Sequence, residues 1–211
     1  MKEEINFQIF TLLEKEGYSV SPSVQEQLQA FLTLVRRWNA VFGLVSQNDL
    51  EQLEVNHLAD SLSLMGTIRR YVTTDAAIYL DIGSGAGFPA IPLKILCPKL
   101  ETVLVERSSK RAGFLRKVIA ALDLKGISLM VGEFPTVVKG LHPSVITARA
   151  VEKPLRLVPG LKPLIQAGSV FLCQCDKLAE QLSGMFHVEH WEDDWTRAGI
   201  RRGRLYLVMK S

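Results

Sequence analysis

"YLDIGSGAGFPAIP", residues 79–92, decides the fold. An apolar run climbs to an acid, Asp81, then breaks into glycines at alternate positions, Gly83, Gly85 and Gly87, before an apolar pattern resumes around prolines. A short buried strand that opens into bare backbone and then a helix is where an open parallel sheet binds its ligand, beyond the carboxyl ends of the strands. The flanking periodicity agrees. Residues 77–82 and 102–106 ("TVLVE") read as strands, 89–96 and 109–122 as helices, the latter with Ala112, Leu115, Val118, Ile119 and Leu122 inward. Further strands are expected at 128–131, 145–148, 170–174 and 204–209, with a helix over 154–165. Strands alternating with helices make a parallel, doubly wound α/β sheet.

Three ligand classes compete for the glycine loop. A phosphate-cradling G-x-x-x-x-G-K-[ST] loop fails, because Pro89 stands where the lysine belongs. A dinucleotide G-x-G-x-x-G fingerprint fails in both registers, at Phe88 counting from Gly83 and at Ala90 counting from Gly85. What remains is Asp81-x-Gly83-x-Gly85-x-Gly87 directly after a strand. That pattern suits S-adenosylmethionine, which carries no phosphate: its amino-acid end can lie on the loop backbone while an acid balances its positive charge. Glu106 closes the second strand, where an acid hydrogen-bonds ribose hydroxyls; this serves nicotinamide and adenosylmethionine cofactors alike.

Upstream the period is helical. Val24, Leu28, Phe31, Leu32, Val35, Trp38 and Phe42 recur at spacings of three and four, with Ser21 to cap, Pro22 in the first turn and Gly43 to end the helix. A shorter helix is expected over 5–15 and another over 50–70. The change of period places a boundary near 73–75, dividing a helical lobe, 1–74, from a cofactor-binding domain, 75–211. The 211 residues carry 47% apolar side chains, enough for a real core. No window is long and apolar enough to span a membrane, and "MKEEINFQIF" is too acidic for a signal peptide. Three cysteines, Cys97, Cys173 and Cys175, make no disulfide framework and fit a reducing cytoplasm. The net charge of +3 is uneven: residues 1–79 hold 6 Lys+Arg against 10 Asp+Glu, and residues 80–211 hold 19 against 12. A basic C-terminal portion is compatible with a nucleic-acid partner and equally with ordinary surface charge.

"DIGSGAGFPAIPL", "LVERSSKRAGFLRKV" and "VITARAV", with "NHLADSL" upstream, resemble the ribosomal small-subunit RNA guanine-N7 methyltransferase family, formerly called glucose-inhibited division protein B. The resemblance covers roughly residues 20–165. It implies a class I methyltransferase-like (Rossmann-like) doubly wound sheet with a last antiparallel strand, a helical N-terminal lobe, S-adenosylmethionine as cofactor and small-subunit (16S) ribosomal RNA or a ribosomal particle as partner, with the chain acting as a monomer. Carried over by position, Asp81, Gly83, Gly85, Gly87 and Phe88 line the cofactor and Glu106 holds its ribose. The family's Arg-x-Glu after the third strand is here "LMVGEFP", so Gly132 and Glu133 are the nearest equivalents and the arginine is missing. Arg149 matches the arginine at the end of the fourth strand, near cofactor and substrate, and is the catalytic candidate. Asn39, His57, Asp60 and Ser61 match positions in the lobe. Departures are Ala90 for a glycine, Gly43 for a second asparagine, and "FLCQCDK" for a Lys-Gly after the fifth strand.

Guanine N7 has a free lone pair, so methylating it requires no general base, and the lack of an obvious one is expected; catalysis can rest on positioning and field. The planar fork of Arg149 suits a phosphate or the guanine acceptor edge, and a structural salt bridge is its plain alternative. His57, Asp60 and Ser61 share a helix face if that helix is continuous, and read as an interdomain hydrogen-bond network bordering the RNA cleft. Arg107, Lys110 and Arg111, with Arg116 and Lys117, form either a solvated helix face or a phosphate-tracking patch, and "RRGR" at 201–204 is a further candidate for phosphate. Cys173-x-Cys175 and His187-x-x-His190 invite a zinc reading, but a C-x-C strand is more simply packing, so no metal is expected. Two other functions stay open at this point: a small-molecule methyltransferase, and a non-catalytic RNA- or ribosome-binding module on the same fold.

Overall fold

The computed structural model describes residues 2–74, 77–149, 153–201 and 203–211, and side chains from residue 9 onward. Helix α1 (Lys2–Lys15) precedes α2 (Pro22–Phe42). The caps of α2 are those the sequence predicts: the Ser21 hydroxyl accepts from the Val24 N–H, and Gly43 ends the helix in the left-handed region at φ 61. Leu28, Phe31, Leu32 and Val35 are its buried stripe.

The single helix expected over 50–70 is broken. α3 (Gln47–Glu51) leads into a π-helical turn (Glu54–Ala59), then α4 (Asp60–Leu62) and α5 (Met65–Tyr71). The cause is polar side chains competing for the backbone. Ser61 donates to the His57 carbonyl at 2.5 Å and Ser63 to the Asp60 carbonyl at 2.7 Å. Arg201 then captures the Ser63 carbonyl at 2.6 Å and its hydroxyl at 3.1 Å.

The sheet has seven strands: β1 (Ile78–Ile82), β2 (Glu101–Glu106), β3 (Ile127–Val131), β4 (Val145–Ala148), β5 (Val170–Cys173), β6 (His187–Trp191) and β7 (Leu205–Met209). Their order is β3-β2-β1-β4-β5-β7-β6, parallel except for β7, which runs antiparallel to both its neighbours. Strand order reverses between β1 and β4, so the glycine loop after β1 sits at the topological switch point. α6 (Ala90–Leu96) and α7 (Ser109–Ala121) link the first strands, and α8 (Val158–Gln166), α9 (Asp176–Ser183) and α10 (Asp194–Arg197) the later ones. One apolar core runs unbroken from α1 and α2 through α6 and α7 to Tyr79 and Leu104 on one face of the sheet. A second, with Leu80, Val103 and Ile146, lies under α8 and α9 on the other. Asp81 follows Tyr79 by two residues and therefore faces the lobe.

β6, α9 and α10 are absent from the sequence reading. "HVEHW" lacks an apolar run because β6 is an edge strand, hydrogen-bonded on one side only and half-exposed. The boundary expected near 73–75 touches Asp75, outside the described residues, as is Arg202 of the "RRGR" stretch. Arg201 of that stretch is not a phosphate-facing side chain. It is fully buried, paired with Asp193 at 2.6 Å and bonded to Ser63 and Thr196. Trp195 beside it donates to Glu16 at the end of α1, whose carboxyl burial pushes upward. Arg201→Ala strands Asp193 and the Ser63 carbonyl, and is expected to lower stability by about 3–5 kcal/mol. Arg204→Ala, at an exposed pair with Asp176, is expected to leave the denaturant midpoint in place.

Candidate active site

The loop after β1 is built from backbone that only glycine adopts readily. Gly83, Gly85 and Gly87 have φ of 75, 52 and 91. Their surroundings differ. A Cβ on Gly87 would lie 2.7 Å from Ile91 Cγ1, so Gly87 lets the loop close onto α6. A Cβ on Gly85 would meet nothing nearer than the Gly83 carbonyl at 3.7 Å, so the space above Gly85 is open to a ligand.

Glu106, at the carboxyl end of β2, is held from both sides. One carboxylate oxygen accepts from the Gly85 N–H at 2.9 Å, the other from the Ser108 N–H at 2.7 Å. A carboxylate offers about four lone-pair positions, so two remain for hydroxyls and their directions are fixed. Gly132 stands at the neighbouring strand end and donates to the Glu106 carbonyl at 3.1 Å. Its φ of 150 and a Cβ position 2.4 Å from Val137 Cγ1 exclude a larger residue. Glu133 beside it is exposed.

Asp81 is buried and anchors a chain of hydroxyls. Thr147, its register partner on β4, donates to one carboxylate oxygen at 2.6 Å, and the Tyr79 hydroxyl lies 2.7 Å from Thr147. With the Thr147 proton directed to Asp81, Tyr79 is the donor of that second bond. The other Asp81 oxygen has no protein hydrogen-bond partner. Burial pushes the carboxyl up to about 6, against the pull of Thr147, Ser84 and Arg149. A buried carboxylate with an unmatched oxygen, an open glycine cradle and a clamped acid at the next strand end fit an amino-acid-plus-ribose ligand such as S-adenosylmethionine.

The lobe meets the sheet at Arg149, just past β4. Its guanidinium Nη1 contacts Asp60 Oδ2 at 2.5 Å and its Nη2 contacts His57 Nδ1 at 2.5 Å. Accepting from Arg149 places the neutral-ring proton of His57 on Nε2, 3.6 Å from Asp49. Gln174, after β5, donates to the same Asp60 carboxylate at 3.2 Å. Phe88 lies beneath, its ring stacked on His57 at 5.0 Å, edge-on to Phe31 at 5.0 Å and 5.8 Å from the Arg149 guanidinium carbon. The hydrogen-bond network expected from His57 and Asp60 is thus present, with His57 in the π-helical turn and Asp60 directly after it at the start of α4. Ser61 turns its hydroxyl back onto that turn. Asn39 is engaged elsewhere: its side chain accepts from the Leu44 and Val45 N–H groups and donates to the Val45 carbonyl, fixing the loop after α2. Arg107, Lys110 and Arg111 are exposed, Arg111 reaching the Gly43 carbonyl at 3.4 Å. Ala150 and Val151, the rest of "TARAV", lie outside the described residues. Tyr79, Thr147 and Gln174 are site residues the sequence reading missed. A hydroxyl in the middle of the apolar "VITA" strand was the available signal for Thr147; Gln174 had none beyond its place at a strand end.

A seven-stranded sheet of this order, with a glycine loop and an acid at the first two strand ends, is the class I methyltransferase fold. A precorrin-6y C5,15-methyltransferase from Geobacter metallireducens has that fold at a TM-score of 0.52 and 14% identity, over 80% of this chain and 90% of its own. The family model for rRNA small subunit methyltransferase G matches residues 24–185, and the chain belongs to that family. Among its relatives, the ribosomal RNA small subunit methyltransferase G of Leptothrix cholodnii is 32% identical over 181 residues, 82% of each chain. That of Xylella fastidiosa is 40% identical over 125 residues, 59% of this chain, and the match spans only 56% of the relative's length.

The two loop glycines separate fold from binding. Gly85→Ala is expected to lose about 1–2 kcal/mol from left-handed strain and to abolish S-adenosylmethionine binding in calorimetric titration. Gly87→Ala adds overpacking against Ile91 of about 1–3 kcal/mol to that strain, and should show first as a lowered Tm.

Proposed function

We propose that this chain is an S-adenosylmethionine-dependent methyltransferase that methylates N7 of a guanine in small-subunit (16S) ribosomal RNA. The observation that carries the reading is the coincidence of a family match over residues 24–185 with an open glycine cradle beside a clamped Glu106. The family supports the substrate, and the loop geometry supports the cofactor.

When bound, S-adenosylmethionine supplies an electrophilic methyl group on a sulfonium. Glu106 receives ribose hydroxyls on its two remaining lone-pair positions. Asp81, at the foot of the loop, offers negative charge to the amino-acid end, and Gly83, Gly85 and Gly87 let that end touch backbone. Gly132 and Glu133 border the base at the end of β3. The acceptor N7 needs no proton removed, so the chain's task is to aim it and to hold a field that tolerates positive charge on the purine. Arg149 is the catalytic candidate: its fork, fixed by Asp60, His57 and the Phe88 ring, borders both the cofactor loop and the lobe. His57 and Asp60 position it, Asn39 shapes the adjoining loop, and Arg107, Lys110 and Arg111 meet RNA phosphate. Helices α1–α5 serve as the substrate-side lobe, 1–74, and the sheet as the cofactor domain, 75–211. The chain works in the cytoplasm, in keeping with its three free cysteines. It works as a monomer, in keeping with large apolar side chains exposed only singly, at Val41, Val131, Leu155 and Met185 among the described residues. Among those residues, no helix is long and apolar enough to cross a membrane.

Incubating the purified chain with methyl-labelled cofactor and small-subunit particles, or their deproteinised RNA, is expected to place label in 7-methylguanosine after nuclease digestion. Cofactor binding with no transfer to either RNA would leave a binding module or a small-molecule enzyme. The raised Asp81 carboxyl adds a pH dependence. In the free protein, the stability from this group is complete below its ordinary value of 3.8 and is lost as pH rises through about 6. A cationic ligand favours the ionised carboxylate, so affinity should rise with pH up to about 6 and level off above it. Titration in buffers of different ionisation heat should show proton release near pH 5.5 that is gone at pH 8 and absent in Asp81→Asn.

A further inference from the structure

α7 carries Lys110, Arg111, Arg116 and Lys117 and no acid along its length. All four are exposed, and among the described residues none of them, nor Arg37 on α2, has an ion-pair partner. Two of these cations converge on one half-buried ring. Lys117 Nζ lies 5.0 Å from the Trp38 ring centre and the Arg37 guanidinium carbon 5.5 Å. The ring is anchored from below: Trp38 packs on Phe42 at 5.7 Å, and Phe42 on the fully buried Phe114 of α7 at 5.9 Å. Phe42 also passes Gly113 of α7, at ordinary contact distance from where a Cβ there would lie, 3.8 Å.

The seam is continuous with the site. Phe31, which touches Phe88, is on the same face of α2 as Trp38, seven residues away, or roughly 10 Å along the axis. Lys110 and Lys117 repeat that seven-residue spacing on α7, so these two lysines lie on one face of the helix, the one that carries Lys117 to Trp38.

Resting on the function proposed above, we propose that the α2–α7 seam, with Trp38 between Arg37 and Lys117, is a second contact surface for the substrate RNA, separate from the acceptor site. Unpaired cations fixed over an aromatic face match a polyanion with stackable bases, because the cations meet phosphate while the ring edge or face takes a base. An acidic protein surface would use the cations and leave the ring without a role. The seam holds the strand next to the guanine, so that binding energy remote from N7 orients the acceptor.

The test compares Arg37→Gln/Lys117→Gln, Trp38→Leu and, as a charge control away from the seam, Lys99→Gln/Lys139→Gln. Binding to deproteinised small-subunit RNA is measured against salt concentration, with cofactor affinity and Tm read in parallel. The seam double variant is expected to bind RNA about ten-fold more weakly at low salt and to lose about 1.5 from the slope of log affinity on log salt, two phosphate contacts' worth. Cofactor affinity should be unchanged, and the control should keep the parental slope. Trp38→Leu should weaken binding with the slope kept; if it unfolds, the two-charge variant still decides. Parental RNA affinity and slope in the seam double variant would overturn the proposal, as would an equal loss in the control. Loss of binding to the intact particle but not to its RNA would also overturn it, in favour of a ribosomal-protein contact. A parent chain that binds no RNA would overturn the function proposed above, and this surface with it.

Discussion

The structure depends on a buried charge pair at the meeting of lobe and sheet. Arg149 and Asp60 are 14% and 3% exposed, and either would be costly there alone. Asp60 is further satisfied by Gln174 and Arg149 by His57, so two segments distant in sequence close on the Asp60 carboxylate. The pair explains the local backbone. A regular helix over 50–70 would carry His57 and Asp60 on a fixed face; the π-helical turn at Glu54–Ala59 widens the coil just where both residues must reach one guanidinium. It also explains Phe88, whose ring fills the space under His57 and beside Arg149, so that the end of the glycine loop and the lobe share one wall.

The two acids of the loop are set apart by their surroundings. Glu106 has both oxygens tied to backbone N–H groups, which fix its direction. Asp81 is deeper, has one oxygen matched by Thr147 and one unmatched, and resists ionisation. A clamped acid suits neutral hydroxyls, and an under-satisfied one suits a cation that arrives with the ligand. The division follows from register: Asp81 lies one strand inward of Glu106, and burial grows toward the middle of the sheet.

Much of this was legible in the sequence. Asp81 and three alternating glycines after an apolar run fixed the switch-point loop, and "TVLVE" placed Glu106 at the next strand end. The caps of α2 were readable because Ser21 and Gly43 act within one turn of chain. What escaped was set by distant partners. The break in the 50–70 helix depends on Arg201, more than a hundred residues on, taking the Ser63 carbonyl. β6 was illegible because an edge strand needs no apolar run. Arg201 looked like a surface phosphate contact from its basic neighbours, yet its nearest acid, Asp193, and Ser63 bury it. Asn39 matched a family position, and the pattern gave no sign that its amide would close the Leu44–Val45 turn.

If the Arg149–Asp60 pair is what unites lobe and sheet into one site, its members act as a unit. The direct measurement is a double-mutant cycle on Arg149→Gln and Asp60→Asn, read as single-turnover methyl transfer to small-subunit RNA and as Tm. Strong non-additivity is expected: each single variant is badly impaired by the stranded partner, and the double variant is no worse than the more damaged single one in either readout. Independent, additive losses would contradict it, leaving the contact as one of many between two separately formed parts.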